Sequence, residues 1–407
     1  MARSDAAARF IFVTLLLDVV GIGIIIPILP GLVQSLLGSD PSTAARYYGP
    51  LVALYAVTQT LASPLLGALS DRYGRRPVIL VSMVGMGISY LVMGFAPTLV
   101  WLFIGRALAG VTGATITSAN AYMADISTPE TRAQNFGLVG AAFGVGFVFG
   151  PAIGGVLGEV GPRVPLFGAA AVSFLNVLWG VFVLPESLPL DQRRALSLAD
   201  ANPLAGIRNL RTHPGVWGLA LVFVLQSFAQ RGLESVWVLY TGYRYGWSEL
   251  ENGLTLALVG VGAAIVQGGL VRRIVPWLGE PRALVIGLVL NVVALLLYGS
   301  VPQGWMILLV IPIGAISAIA GPALQGLITS MVEPERQGTI QGALASAQSL
   351  TAIFAPLVAA TLFAWATDDT LGVHLPGIAF YLGAAVLVVA ILQAVRTLRR
   401  LAGAPQG

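Results

Sequence analysis

Apolar positions in this chain neither alternate nor recur on one helical stripe; they run on until a short polar break stops them. Twelve such runs lie near residues 10–37, 50–69, 78–95, 99–123, 135–157, 165–184, 215–240, 251–271, 282–300, 304–330, 338–364 and 377–395. Each is close to the length of about 20 residues that a helix needs to cross a bilayer. A helix that is apolar all round is stable only inside a large core or in lipid. The pattern therefore predicts an all-α membrane protein of 12 transmembrane helices, and an even number of crossings leaves both termini on one side.

Charge supplies the orientation. Every one of the 22 basic residues is arginine, and 17 of them fall in the tails and in the loops on the side of the termini. The opposite loops hold three, Arg46, Arg163 and Arg244, while Arg106 and Arg231 lie inside runs. Basic residues in short loops stay inside, so both termini are expected in the cytoplasm of a cell with this protein in its inner membrane. Met1 to Arg9 is too polar, and the run after it too long, for a cleaved signal peptide; the first span is expected to be retained.

Composition narrows the chemistry. Hydrophobic residues make up 57% of the chain and charged residues 10%, with a mean hydropathy of +0.85, outside the range of soluble domains. Cysteine is absent and His213 and His374 are the only histidines, which leaves no disulfide framework and no zinc cluster. No phosphate-cradling glycine loop follows a strand, so nucleotide-driven pumping has no support. Neither an enzyme, a metal nor a cofactor is expected. The net charge of +4 is explained by orientation, and no nucleic-acid partner is expected; the expected partners are the bilayer, a small molecule and protons.

The chain also contains a faint copy of itself. An offset of 205 places Gly74 on Gly279, Pro129 and Glu130 on Pro334 and Glu335, Gly137 on Gly342 and Pro151 on Pro356. Two six-helix bundles are expected, residues 1–184 and 215–407, joined by a cytoplasmic linker over 185–214. Paired halves with a site at mid-membrane are the plan of transporters that rock one half against the other. In the second copy Pro276 and Pro281 stand at the positions of Asp71 and Arg76, so switching charges are expected mainly in the first half.

Candidate residues fall in three groups. Between the second and third runs, Gly67, Asp71, Arg72, Gly74, Arg75, Arg76 and Pro77 form a charged turn, with Pro77 suited to the first turn of the next helix. It reads either as a positive-inside anchor or as a charge switch. Asp125 ends the fourth run beside Glu130 and Arg132, as part of a network reaching Arg72 or Arg76 or as a plain helix end. In the fifth run, Gly144, Gly146, Gly150, Pro151, Gly154 and Gly155 leave one face nearly bare, which lets backbones approach, and a Gly-Pro pair permits a bend. Ordinary small-residue packing is the alternative.

Ionisable groups inside the runs form the third group. Asp18 lies eight residues beyond Phe10, about 12 Å into the apolar layer, and a carboxylate there marks function by default. Arg106 is either the cation that tunes Asp18 or a tie to helix carbonyls. Arg231 and Glu234, three residues apart, share a helix face; Glu234 is a second proton carrier or cation contact, or half of a static ion pair. Gln226 and Gln230 line an adjoining stripe. Gln59, Asn120, Gln325 and Gln348 are candidate pocket donors, and Tyr55, Phe143, Trp237 and Tyr240 are walls for a flat amphipathic ligand or simply helix packing.

The charged turn resembles the signature between helices 2 and 3 of the major facilitator superfamily. The resemblance implies that Asp71, Arg72 and Arg76 act in a cytoplasmic latch that sets which side is open. The glycine-rich fifth run resembles the motif of that superfamily's drug/proton antiporters. Leu17 to Gly31 closely resembles the first helix of the tetracycline/proton antiporters. So do Gly105-Arg106 with Gly110 and Gly113-Ala114, Ala121-Tyr122 with Asp125-Ile126, Leu184-Pro185-Glu186-Ser187, and Glu335-Arg336-Gln337-Gly338 with Gln341-Gly342. Where those antiporters carry acids in helices 3 and 9, this chain has Ser89 and Asn291, which do not titrate near neutral pH. The resemblance implies a proton-coupled exporter of amphipathic small molecules working as one chain. A metabolite or sugar symporter is the alternative within transport, and a non-transporting membrane sensor the alternative outside it.

Overall fold

The computed structural model describes residues 2–113, 115–128, 130–193, 214–368 and 374–402. Ala114, Pro129 and linker residues 194–213, with Arg194, Arg208, Arg211 and His213, lie outside the described residues. Among the described residues no strand occurs, and 12 helices are long and apolar enough to cross a membrane. In chain order the α-helices are α1 Ala2–Ile25, α2 Leu29–Leu37, α3 Pro41–Tyr73, α4 Arg75–Gly94, α5 Leu99–Thr112, α6 Thr115–Asp125, α7 Arg132–Val160 and α8 Val164–Val183. They continue as α9 Pro214–Tyr245, α10 Glu249–Ile265, α11 Val271–Leu278, α12 Glu280–Ser300, α13 Gly304–Ser317, α14 Ala320–Ser330, α15 Pro334–Ala366 and α16 Ile378–Ala402.

Three spans are built from two helices each. Within the span Leu99–Asp125, α5 ends at Thr112 with a turn at Gly113 and α6 begins at Thr115, Ala318–Ile319 interrupts Gly304–Ser330, and a π-helical stretch, Val266–Leu270, joins α10 to α11. The first two of these spans begin and end 205 residues apart, the offset of the internal repeat. The same offset relates Gly74 (φ +106°) and Gly279 (φ +77°), which cap the N-termini of α4 and α12. That backbone region suits glycine and few other residues, so the duplicated glycines mark a duplicated turn.

Two predicted boundaries move. The first run does not continue as one helix to residue 37: Pro27 withholds an N–H, α1 stops at Ile25 and α2 begins beyond a short turn. The second span starts at Pro41 rather than near 50, because the polar stretch from Ser42 to Tyr48 is helical as well. Hydropathy reports only the part of a helix that lipid sees.

The chain forms two compact units: Met1–Asp40, Leu51–Ala201 and Trp247–Gly260 in one, Pro41–Pro50, Asn202–Gly246 and Val261–Gly407 in the other. In the first, α1 packs on α7 and α8, and α4 on α5 and α8. Ile11, Leu15, Ile79, Met83, Tyr122 and Met123 form a core at one end of it. In the second, α9 packs on α15 and α16, and α12 on α13, α14 and α16. Lipid tails are as apolar as leucine, so such packing rests on close contact of small residues rather than on expulsion of water.

Candidate functional site

The first cluster surrounds Asp18 on α1. The side chain is buried, and no group among the described residues bonds to its Oδ2. One turn on, Gly21 leaves room for Tyr90 of α4, whose hydroxyl and ring edge lie 3.6 and 3.5 Å from the place a Cβ would take. Tyr90 is itself fully buried and interacts electrostatically with Asp18, Tyr55 and Arg106. The Arg106 guanidinium stacks over the Tyr55 ring at 4.4 Å, and Gln59 Nε2 donates to the Tyr55 hydroxyl at 3.1 Å and to the Gly113 carbonyl at 3.2 Å. Arg106, Gln59 and Tyr55, singled out by sequence, thus form one polar string, and Tyr90, which sequence misses, packs on α1 one turn from Asp18. A tyrosine in an apolar run carries no period or charge to betray it.

α1 is held by the bare face of α7. A Cβ on Gly146 would strike Val19, one on Gly150 would sit 2.7 Å from Gly23 Cα, and one on Gly154 would overlap the Ile24 carbonyl. The neighbouring face closes on α10, where a Cβ on Gly155 would lie 2.7 Å from the Glu249 carbonyl and 3.0 Å from Leu250 Cα. Pro151 lies inside this helix. Gly144, by contrast, faces open space. Because the Ile24 carbonyl is backbone and cannot swing aside, Gly154→Val is expected to exceed the about 1–3 kcal/mol of ordinary overpacking. Gly144→Val is expected to be neutral, and thermal scans of both purified variants by size-exclusion chromatography check the pair.

The second cluster is the charged turn, and it centres on Arg75 rather than on Arg72 or Arg76. Arg75 donates to Asp71 at 2.5 Å, to Asp125 at 2.9 Å and to the Ser70 hydroxyl at 3.3 Å. Arg72 instead stacks on Tyr73 at 5.2 Å, and Arg76 donates to the Val181 carbonyl at 2.6 Å. Arg132 is exposed, and Glu130 is exposed too, its carboxyl lowered by the Thr128 hydroxyl. A Cβ on Gly67 would meet nothing within 4 Å, whereas one on Gly74 would overlap the Glu186 carboxylate.

Glu186 completes this turn. With only Gly74 as its cap, α4 has free N–H groups and a positive end. The Glu186 carboxylate accepts from the Arg75 N–H at 2.9 Å and from the Arg76 N–H at 3.3 Å, and lies 3.9 Å from Arg193. Ser187 Oγ donates to Asp125 at 3.0 Å, and Tyr122 donates to the Pro185 carbonyl at 3.1 Å. The sequence signal for Glu186 was a helix start without Ser, Thr, Asp or Asn, which must find its anion elsewhere.

The third cluster lies on α9. Arg231 donates to Glu234 at 3.0 Å and Gln230 to the other carboxylate oxygen at 3.0 Å, with the charged side chains 42% and 48% exposed. Both sit near the middle of the span Gly215–Tyr245. Facing lipid, each charge would cost about 3 kcal/mol, and one bond from a guanidinium with five N–H groups does not offset that. This face of α9 therefore borders water. Gln226 lies half-buried one turn earlier on it.

Other expected pocket residues are placed differently. Trp237 and Tyr240 are buried in the second unit, where Trp237 meets Tyr298 edge-on at 5.1 Å and Tyr240 donates to the Tyr298 carbonyl at 2.7 Å. Trp237 lies one turn beyond Glu234 on the same stripe of α9, and both rings are buried against Tyr298 and Phe380 within the second unit. Ser89 is fully buried and donates to the Met86 carbonyl at 2.7 Å, where α4 meets the bare Gly105 of α5. Asn120, Asn291, Gln325 and Gln348 are half-buried. Among the described residues no group of three or more His, Cys, Asp or Glu is placed to hold a metal.

Comparison with known proteins gives the family of the chain. Residues 11–356 match the family described as Major Facilitator Superfamily. Tetracycline resistance protein, class C, of Escherichia coli is 39% identical over 389 residues, 96% of each chain. Multidrug resistance protein 2 of Bacillus subtilis (strain 168) is 29% identical over 385 residues, 92% of this chain and 93% of its own. The crystal structure of the human organic anion transporter MFSD10 (TETRAN) matches with a TM-score of 0.71 at 26% identity, covering 96% of this chain and 99% of that chain.

Proposed function

Because the chain belongs to the major facilitator superfamily of membrane transporters, we propose that it is a proton-coupled antiporter. It exports an amphipathic small molecule across the inner membrane by alternating access, as a single chain with both termini in the cytoplasm. The observation that carries this reading is Asp18, a buried carboxyl within a span whose Oδ2 has no partner among the described residues. A group so placed gains its charge only when water or a cation reaches it, which makes protonation and cargo alternatives at one place. The relatives named for tetracycline and multidrug resistance support export, and the arginine excess on the side of the termini supports the orientation.

Glu234 is the second ionisable contact, on the wet face of α9, and the Arg75 turn is the latch whose ion pairs hold one state of the cycle. The test is growth of a pump-deficient host carrying the gene, challenged with tetracycline, chloramphenicol, quinolones and cationic dyes. Raised tolerance to at least one compound is expected, and tolerance equal to the empty vector for all of them would sink the export reading.

The wet face has its own check. Since the chain has no cysteine, one introduced thiol reports alone. Gln230→Cys is expected to react readily with a charged methanethiosulfonate, because only a hydrated thiol ionises, whereas Ala229→Cys, buried next to it, is expected to stay unlabelled.

A further inference from the structure

A groove of about 650 Å³ opens on the second unit where the first turns of α12 meet the last turns of α14 and α16. Pro281, Leu327, Met331 and Leu398 give it an apolar floor, and Arg282 and Arg399 stand on its walls. Both arginines are exposed, and among the described residues neither forms an ion pair. The nearest carboxylate along the chain, Glu280, is turned toward Gly326 and does not line the groove.

The position of the groove decides what fits it. α12 begins, and α14 and α16 end, on one side of the membrane, so the two guanidinium groups sit at helix ends, at the level of lipid headgroups. One turn deeper, Val285, Ile286 and Val395 continue the apolar lining toward the hydrocarbon. A water-soluble anion would use the arginines and leave the floor bare. A second protein chain would need carboxylates set above an apolar ridge. A lipid from the surrounding bilayer brings an anionic phosphodiester and an acyl chain already in that order.

The geometry points to a seat for one anionic phospholipid, its headgroup phosphate between Arg282 and Arg399 and its acyl chain along Met331, Leu398 and Val395. Basic pockets between spans on the arginine-rich side favour such lipids. The site is separate from the cluster around Asp18 and does not depend on what the protein carries.

Native mass spectrometry of the full-length protein, titrated with phosphatidylglycerol or with phosphatidylcholine of the same chains, tests it. One phosphatidylglycerol is expected to bind ahead of phosphatidylcholine. Arg282→Gln with Arg399→Gln is expected to weaken that binding about twenty-five-fold, about fivefold for each arginine. Met331→Trp, which fills the groove and spares both charges, is expected to weaken it too. Arg272→Gln with Arg273→Gln, an exposed pair away from the groove, is the control and is expected to change nothing. The proposal is overturned if phosphatidylcholine binds equally, if the control pair loses as much, if Met331→Trp binds as wild type does, or if a protein dimer rather than a lipid adduct disappears with the two arginines.

Discussion

Asp18→Asn is expected to remove proton-driven transport and leave the protein folded. The amide has the shape of the acid, and no hydrogen bond to Oδ2 among the described residues is lost. Burying a neutral amide is also less costly than burying a charge, so the thermal midpoint should hold or rise. What disappears is the ability to change charge. In everted vesicles, addition of cargo should no longer collapse an imposed pH gradient, with net efflux down about a hundredfold, the low end of what a positioned proton-transfer group contributes. Exchange of labelled for unlabelled cargo, which needs no net proton movement, should persist. Normal gradient collapse in the variant would refute Asp18 as the carrier.

Arg75→Gln is expected to destabilise the first unit by removing the one cation that two carboxylates share. Its side chain is 10% exposed and sits between Asp71 and Asp125, which are 45% and 21% exposed. Removing the cation leaves two carboxylates facing each other and the more buried Asp125 without its ion pair. Breaking a fully buried pair costs about 3–5 kcal/mol; the exposure of Asp71 reduces this to about 2–3 kcal/mol. A double-mutant cycle with Asp125→Asn reads the coupling directly. The double variant should be more stable than the sum of the single losses predicts, and Arg72→Gln, whose guanidinium only stacks on Tyr73, should be nearly silent. Additive losses in the cycle would mean that the network is not coupled.

The number of spans was legible because it depends on one property, apolar length, that the bilayer imposes on every crossing helix. The pairing of Arg231 with Glu234 was legible for a related reason: a charge in a span has few tolerable places. Other features depend on direction around a helix, which composition does not carry. Three arginines in six residues look alike in sequence, and only the turn at Gly74 decides that Arg75 points inward to Asp125. Trp237 and Tyr240 have the chemistry of ligand walls, yet both are buried, against rings of α12 and α16 that lie far away in sequence, Tyr298 and Phe380. Pro27 sits inside one unbroken apolar run, yet the first helix ends just before it.

The duplicated turn answers one electrostatic demand in two ways. At α12 the anion is resident, since Glu280 is the first residue of the helix that Gly279 caps. At α4 the anion is imported from Glu186, just beyond the end of α8. A polypeptide divided after Arg193 would give each fragment its own counter-charge, whereas one divided before Glu186 would strand the first fragment with an unanswered helix end. The stretch that follows the sixth span is thus, for its first few residues, a working part of the half it leaves.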